Sequence, residues 1–361
     1  MTTLSFPGLN IGEFKIDPVA IRIGDNFEIR WYGILIVTGI ILAFLYACYR
    51  AKQEGISFDN MLDITLFTVV FAVIGARAYY VLTSLDQYDS FLDMIAIWNG
   101  GLAIYGGIIA GAITIFVVCK IKKLSVLKML DAAGPAVMIG QIIGRWGNFC
   151  NGEAFGSPIT NGQITYAFLG PEKTYAVSEN NILYRMRMAL ESGATHADGY
   201  QGMVEVQPTF LYESLWNILG FVLINLIYKK KKFNGQIALM YFAWYGFGRM
   251  FIEGLRTDSL FVPGTQIRIS QLLGLVLFVA AIITLIVGFI LMHKKKLPAI
   301  FTPYFIPDIK AFRAEQKRIE EERVAAKRAE RAAKLNQSSP DQTPNEQNEQ
   351  STQEENHGDD H

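Results

Sequence analysis

Within one apolar stretch, Tyr245, Arg249, Glu253 and Arg256 follow one another at spacings of four, four and three residues. At about 100° per residue they occupy a stripe roughly 80° wide on one face of a helix. An ionisable group inside an apolar span is costly, so such a stripe marks either a functional site or a set of buried ion pairs. A second group lies in the run GRWGNFCNGEAFG at residues 144–156. There Arg145 and Asn148 stand three apart on one helical face, and glycines as far as Gly156 let backbone N–H groups come close to a ligand. Guanidinium forks match phosphate oxygens two at a time, so arginines with amide, phenol and carboxylate neighbours suit a bound phosphate. Arg249, Glu253 and Arg256 could instead merely pair to stabilise a polar helix junction.

These residues need elements to hold them, and the composition says which. Of 361 residues 51% are apolar and 12% aromatic, which points to a membrane protein. Nearly uncharged stretches long enough to cross a bilayer recur at about 31–49, 61–82, 97–119, 130–149, 209–228, 236–255 and 269–292. The expected fold is therefore an all-α polytopic membrane protein of about seven transmembrane helices. The second and fourth spans are the weakest, because Asp63, Arg77, Asp131 and Arg145 fall in or near them and Pro135 lies early in the fourth. The amino-terminal segment carries Glu13, Asp17 and Asp25 and runs straight into the first span, which reads as a retained anchor rather than a cleaved leader.

Lysine and arginine set the orientation. Arg50 and Lys52, Lys120 to Lys128, Lys229 to Lys232 and Lys294 to Lys296 follow alternate spans and belong on the cytoplasmic side. The amino terminus is then outside and the carboxyl terminus inside, with a small extracytoplasmic head at about 150–208 between spans four and five. Residues 1–296 form one transmembrane catalytic domain and 297–361 a cytoplasmic tail, charged at first and of disordered composition beyond Asn336. With this orientation Tyr32, Arg77, Tyr80, Tyr105, Glu213 and both arginine-bearing runs converge on the outer leaflet, where an anionic phospholipid is the expected ligand.

Other features have plainer readings. Gly107 and Gly111 make a GxxxG spacing suited to tight helix packing. Cys48, Cys119 and Cys150 are scattered, with no histidine at metal-ligand spacing, so neither a metal site nor a cofactor is expected. Zero net charge conceals basic loops and an acidic tail end, and no nucleic-acid partner is expected. A lipid or solute transporter would also keep arginines in its spans, but near the midplane and in repeated halves, neither of which this sequence displays.

The run at 144–156 closely resembles the signature of the prolipoprotein diacylglyceryl transferases. WYG at 31–33, NGGLAIYGG at 99–107, QPTFLYE at 207–213 and YGFGRMFIEGLRTD at 245–258 resemble further family segments in the same order. The resemblance implies transfer of the diacylglyceryl group of phosphatidylglycerol to the lipobox cysteine of a preprolipoprotein, without a metal, at the outer leaflet of a bacterial plasma membrane. By the same analogy Arg145 and Arg249 bind the phosphate, Asn148 and Glu153 order the site, and Glu253 and Arg256 support it. Tyr32, Tyr245 and Glu213 are further candidates for contact with substrate. The sequence departs from the family at one point, since many members have a histidine where this chain has Tyr105.

Overall fold

The structure, a computed structural model, describes residues 2–24, 27–88, 90–191, 202–294, 318–319 and 321–332. Among the described residues six helices are long and apolar enough to cross a membrane: α1 (Trp31–Gln53), α2 (Phe58–Thr83), α4 (Ile104–Ile121), α5 (Val126–Asn151), α7 (Thr209–Tyr228) and α9 (Ile269–His293). Between them lie the short α3 (Phe91–Ile95) and α6 (Ile182–Arg185), and α8 (Gln236–Ile252) has 17 residues. Leu45, Leu66, Ile108, Leu226 and Val276 point outward and are largely exposed, the reverse of a water-soluble bundle. The chain is a polytopic helical membrane protein.

α1 packs along α5, α2 along α4, α8 along α9, and α7 against α5. Small residues let the α2–α4 pair approach backbone to backbone: a Cβ on Gly106 would meet the Gly75 carbonyl and Tyr79, and one on Gly107 would lie 3.3 Å from the Ala72 carbonyl. The helices start where caps permit, with Ser57 accepting from Asn60 N–H at 3.3 Å and Ser125 from Lys128 N–H at 3.4 Å.

Two helices differ from expectation. The third span was expected from residue 97, but α4 begins at Ile104, because Gly100 and Gly101 take positive φ and break the helical path. The sixth was expected to residue 255, but α8 ends at Ile252, followed by a 3-10 turn over Glu253–Leu255 and an extended Arg256. Carbonyls there turn outward to the segment between α5 and α7: Gly254 accepts from Ala167 N–H at 3.1 Å and Leu255 from Ser157 N–H at 2.9 Å. Tyr245, Arg249, Glu253 and Arg256 are therefore not one helical stripe; they meet across a helix end.

The all-α expectation needs correcting. Eight short strands are present among the described residues: β1 (Thr2–Phe6), β2 (Ile11–Ile16), β3 (Val19–Ile23), β4 (Phe27–Arg30), β5 (Gln163–Tyr166), β6 (Lys173–Ala176), β7 (Met188–Glu191) and β8 (Met203–Val206). A four-stranded sheet of order β2-β1-β7-β8 joins the amino terminus to the segment between α5 and α7, with Leu4 opposite Leu190. Leu4, Phe6, Met188, Leu190, Val204 and Val206 supply its core, which rests on Phe155 and Phe210. Burying that apolar face drives the pairing, and both partners are distant in sequence. In the second compact unit, residues 308–361, residues 321–332 form an exposed helix, and Arg318 pairs with Glu322 at 3.9 Å. The expectation of disorder beyond Asn336 falls outside the described residues.

At the end of the bundle away from the sheet, Lys231 Nζ lies between Glu54 at 2.6 Å and Asp131 at 2.7 Å, all three side chains fully buried. Asp131 also accepts the backbone N–H groups of Gly235 at 2.8 Å and Ala238 at 2.9 Å, so α5 caps the start of α8. One lysine of the basic loop is thus a structural ion rather than a solvated one. Removing one partner of such a group strands a buried charge. Asp131→Ala should cost about 3–5 kcal/mol in denaturant unfolding of the purified protein; unchanged stability would show that the cluster carries no structural weight.

Candidate active site

Glu213, one turn into α7, is buried, and three guanidinium groups converge on its carboxylate. Arg145, near the end of α5, reaches Oε2 at 2.6 Å. Arg249, in the last turn of α8, reaches Oε1 at 3.0 Å, and Arg256 reaches the same oxygen at 3.3 Å. Further carboxylates complete the network: Arg249 Nη2 pairs with Glu253 at 2.7 Å, and Ser259 donates to the other oxygen of Glu253 at 2.9 Å. Arg256 grips Asp258 in a bidentate pair through its Nε and Nη2, at 2.9 and 2.7 Å. Burial opposes both charges of that last pair. The Asp258 hydrogen bonds outweigh it and hold the Arg256 guanidinium above its ordinary value, as the Arg256 bonds hold the Asp258 carboxyl below the usual carboxylate range.

These pairings separate the arginines by role. Arg256 spends both edges of its fork on carboxylates and holds the site together. Arg145 and Arg249 each give only part of their N–H set to protein partners and are the most accessible of the three, at 20% and 14% side-chain exposure. They can take an anion without dismantling the network.

The turn after α5 supplies a polar rim. Arg145 donates to Asn148 at 3.3 Å, and Asn148 and Asn151 both donate to Glu153 Oε1, at 3.1 and 3.3 Å. Gly152 and Ala154 at positive φ bend this turn, and Thr209 holds it by donating to the Ala154 carbonyl at 2.5 Å. Gly156 is buried between strands of chain, where a Cβ would lie 2.7 Å from Gln207 Cβ and 2.8 Å from the Leu255 carbonyl. It is a close-approach glycine that lets the turn reach Arg256. Tyr32 packs close to Gly147, 2.9 Å from where a Cβ would stand, and Tyr245 stacks on Tyr241 with ring centroids 6.0 Å apart.

Two expected residues stand apart from the cluster. Arg77 is buried and gives its N–H groups to four carbonyls, those of Asp93, Met94, Gly100 and Gly101, at 2.6 to 3.0 Å. It is an anchor for the loop that starts α4. Tyr105, on the first turn of that helix, is 3.0 Å from Ser270 on α9. Sequence reasoning passed over Ser270, Asp258, Arg268 and Gln271. Asp258 alone carried a local signal, as the nearest carboxylate after Arg256; the others are recognisable only once α9 is docked.

Three arginines linked through one buried carboxylate, at the polar end of an apolar bundle, define a helical membrane protein with a charged cluster at one end of its helices. The chain belongs to the prolipoprotein diacylglyceryl transferase family, whose model matches residues 18–287. Relatives named phosphatidylglycerol--prolipoprotein diacylglyceryl transferase agree with this. One from Streptococcus sanguinis is 42% identical over 287 residues, 78% of this chain and 97% of the relative. One from Finegoldia magna is 44% identical over 270 residues, 74% and 94% of the two chains. A third, numbered 1, from Clostridium perfringens, is 41% identical over 290 residues, 79% and 99%.

Proposed function

We propose that this chain is a transferase that moves the diacylglyceryl group of phosphatidylglycerol onto the thiol of a prolipoprotein cysteine, the first step of bacterial lipoprotein maturation. The observation that carries the reading is the placement of Arg145 and Arg249 around Glu213, half-engaged and aimed at one point. Family membership supplies the substrates.

The chemistry follows from charge. The cysteine sulfur attacks the glyceryl carbon, a C–S bond forms, and the C–O bond to phosphate breaks, releasing glycerol phosphate. A phosphodiester carrying one negative charge becomes a monoester carrying nearly two, with a second pKa of about 6. The thiol proton ends on that monoester or in water. Charge grows on the phosphate as the bond breaks, so fixed guanidinium groups stabilise the transition state more than the bound lipid. Glu213 pre-orients them, so little reorganisation remains. Asn148 and Glu153 order the adjoining turn, Glu253 and Arg256 brace Arg249, and Arg77 keeps Tyr105 in place through the loop. Tyr105 serves as a hydrogen-bond donor to the phosphate through its phenol O–H.

The arrangement proposed in the membrane has seven spans, counting α8 with its 3-10 extension, and the amino terminus outside. The site then faces the outer leaflet of the plasma membrane, where lipid and secreted precursor meet. The distribution of lysine and arginine among the loops supports this. Residues 297–361 are a cytoplasmic tail outside the catalytic domain.

The direct test is release of glycerol phosphate from phosphatidylglycerol in the presence of a cysteine-bearing acceptor peptide. Arg145→Lys and Arg249→Lys keep the charge but lose the planar fork. Each should lose about 2.7–4 kcal/mol of transition-state stabilisation, a hundredfold to a thousandfold in turnover; near-normal turnover in both would remove the phosphate clamp. For topology, single cysteines at Asn180 and Asn336 should react oppositely with an impermeant thiol reagent on intact cells, only the former being labelled. Labelling of both would refute the orientation.

A further inference from the structure

Tyr105 belongs to α4, which packs mainly along α2, whereas the arginines come from α5, α8 and the turn beyond it. Its phenol is tied to their neighbourhood by Ser270, on the first turn of α9, 3.0 Å away. Ser270 is held firmly from both sides. Before it, the buried Arg268 donates to Glu172 at 2.7 Å and to the Arg256 carbonyl at 3.2 Å. After it, the fully buried Gln271 donates to the carbonyls of Ala167 at 2.9 Å and Met250 at 2.8 Å and accepts from Leu169 N–H at 2.9 Å. Both neighbours are thus bonded to the backbone that carries Arg249 and Arg256. One turn further along α9, a Cβ on Gly274 would lie 3.3 Å from Arg249 Cβ, so Ser270 shares the helix face that meets Arg249. Tyr105 and Ser270 are both half-buried.

We propose that Ser270 is a positioning residue for Tyr105: its hydroxyl donates to the phenol oxygen and thereby turns the phenol hydrogen toward the lipid phosphate. This rests on the transferase reading above. A phenol has one hydrogen to give. When Tyr105 donates to Ser270 it has none for the lipid; when Ser270 donates to Tyr105, the phenol hydrogen is free for the phosphate. In the second arrangement each bond polarises the next, so the Tyr105 donor is strengthened as charge builds on the leaving group. A serine deeper in a helix would lose its hydrogen to the carbonyl one turn back. Ser270, beside the Arg268 cap, has no helical turn behind it to compete.

The test is a double-mutant cycle on the full-length protein in phosphatidylglycerol-containing nanodiscs. It is read as glycerol phosphate release and as phosphatidylglycerol-dependent thermal stabilisation in detergent, so that it stands even where turnover of a variant is too low to measure. Ser270→Ala should lower turnover about two- to tenfold, the range for one neutral hydrogen bond, with KM for the acceptor peptide unchanged. Ser270→Thr, which keeps the hydroxyl, should restore most of it. In a Tyr105→Phe background Ser270→Ala should have no further effect on either readout. An unchanged Ser270→Ala, or an equal loss in the Tyr105→Phe background, would overturn the proposal and leave the transferase reading standing. A wild-type protein that releases no glycerol phosphate would instead overturn the reading on which it rests.

Discussion

The site depends on one buried carboxylate. Without Glu213, Arg145 would lose its carboxylate partner and three like charges would crowd the end of an apolar bundle with only Glu253 and Asp258 to offset them, where an unpaired charge is costly. With it, three helix ends are drawn to one point, and the guanidinium forks are set before substrate arrives. Asp258 and Glu253 then divide the labour. Arg256 is fully engaged and braces the site, while Arg145 and Arg249 keep donors in reserve. Ion pairing and the proposed phosphate binding are therefore compatible: the pairs hold the guanidinium groups in a fixed arrangement.

α5 is the spine that links this site to the rest of the fold. It carries Arg145 near one end and Asp131 near the other, and it packs against α1, α7 and α8 between them. At the far end the Asp131–Lys231–Glu54 group fixes where α8 starts, and the length of α8 fixes where Arg249 emerges. Two ionic clusters at opposite ends of the same helices hold the arginines in register, in a setting where apolar packing alone would let helices slide.

The helices were legible in the sequence because a bilayer-crossing run is long and continuous, and the arginine motifs were legible because charge inside such a run is conspicuous. The strands were not. Each is only a few residues long, and β1 finds its partner at β7, so the alternation of Leu4 and Phe6 means little until Leu190 is beside it. The stripe through Arg249 and Arg256 was read in the wrong geometry, since the carbonyls of Gly254 and Leu255 are taken by a segment that local periodicity cannot see. Arg77 illustrates a different limit: an intramembrane arginine advertises itself, but only the structure reveals that four carbonyls occupy it. Lys231, similarly, counts as a topology signal in sequence and as a buried ion in the fold.

If Glu213 organises the arginines as described, the most direct measurement is transferase turnover of Glu213→Gln with protein abundance and membrane insertion checked. The amide nearly preserves shape and removes only the charge. Turnover should fall at least about a hundredfold, comparable to loss of a preorganised transition-state contact, with KM for the acceptor peptide unchanged. Near-normal turnover in a correctly inserted Glu213→Gln protein would contradict the account, because the guanidinium groups would then need no shared counter-ion to do their work.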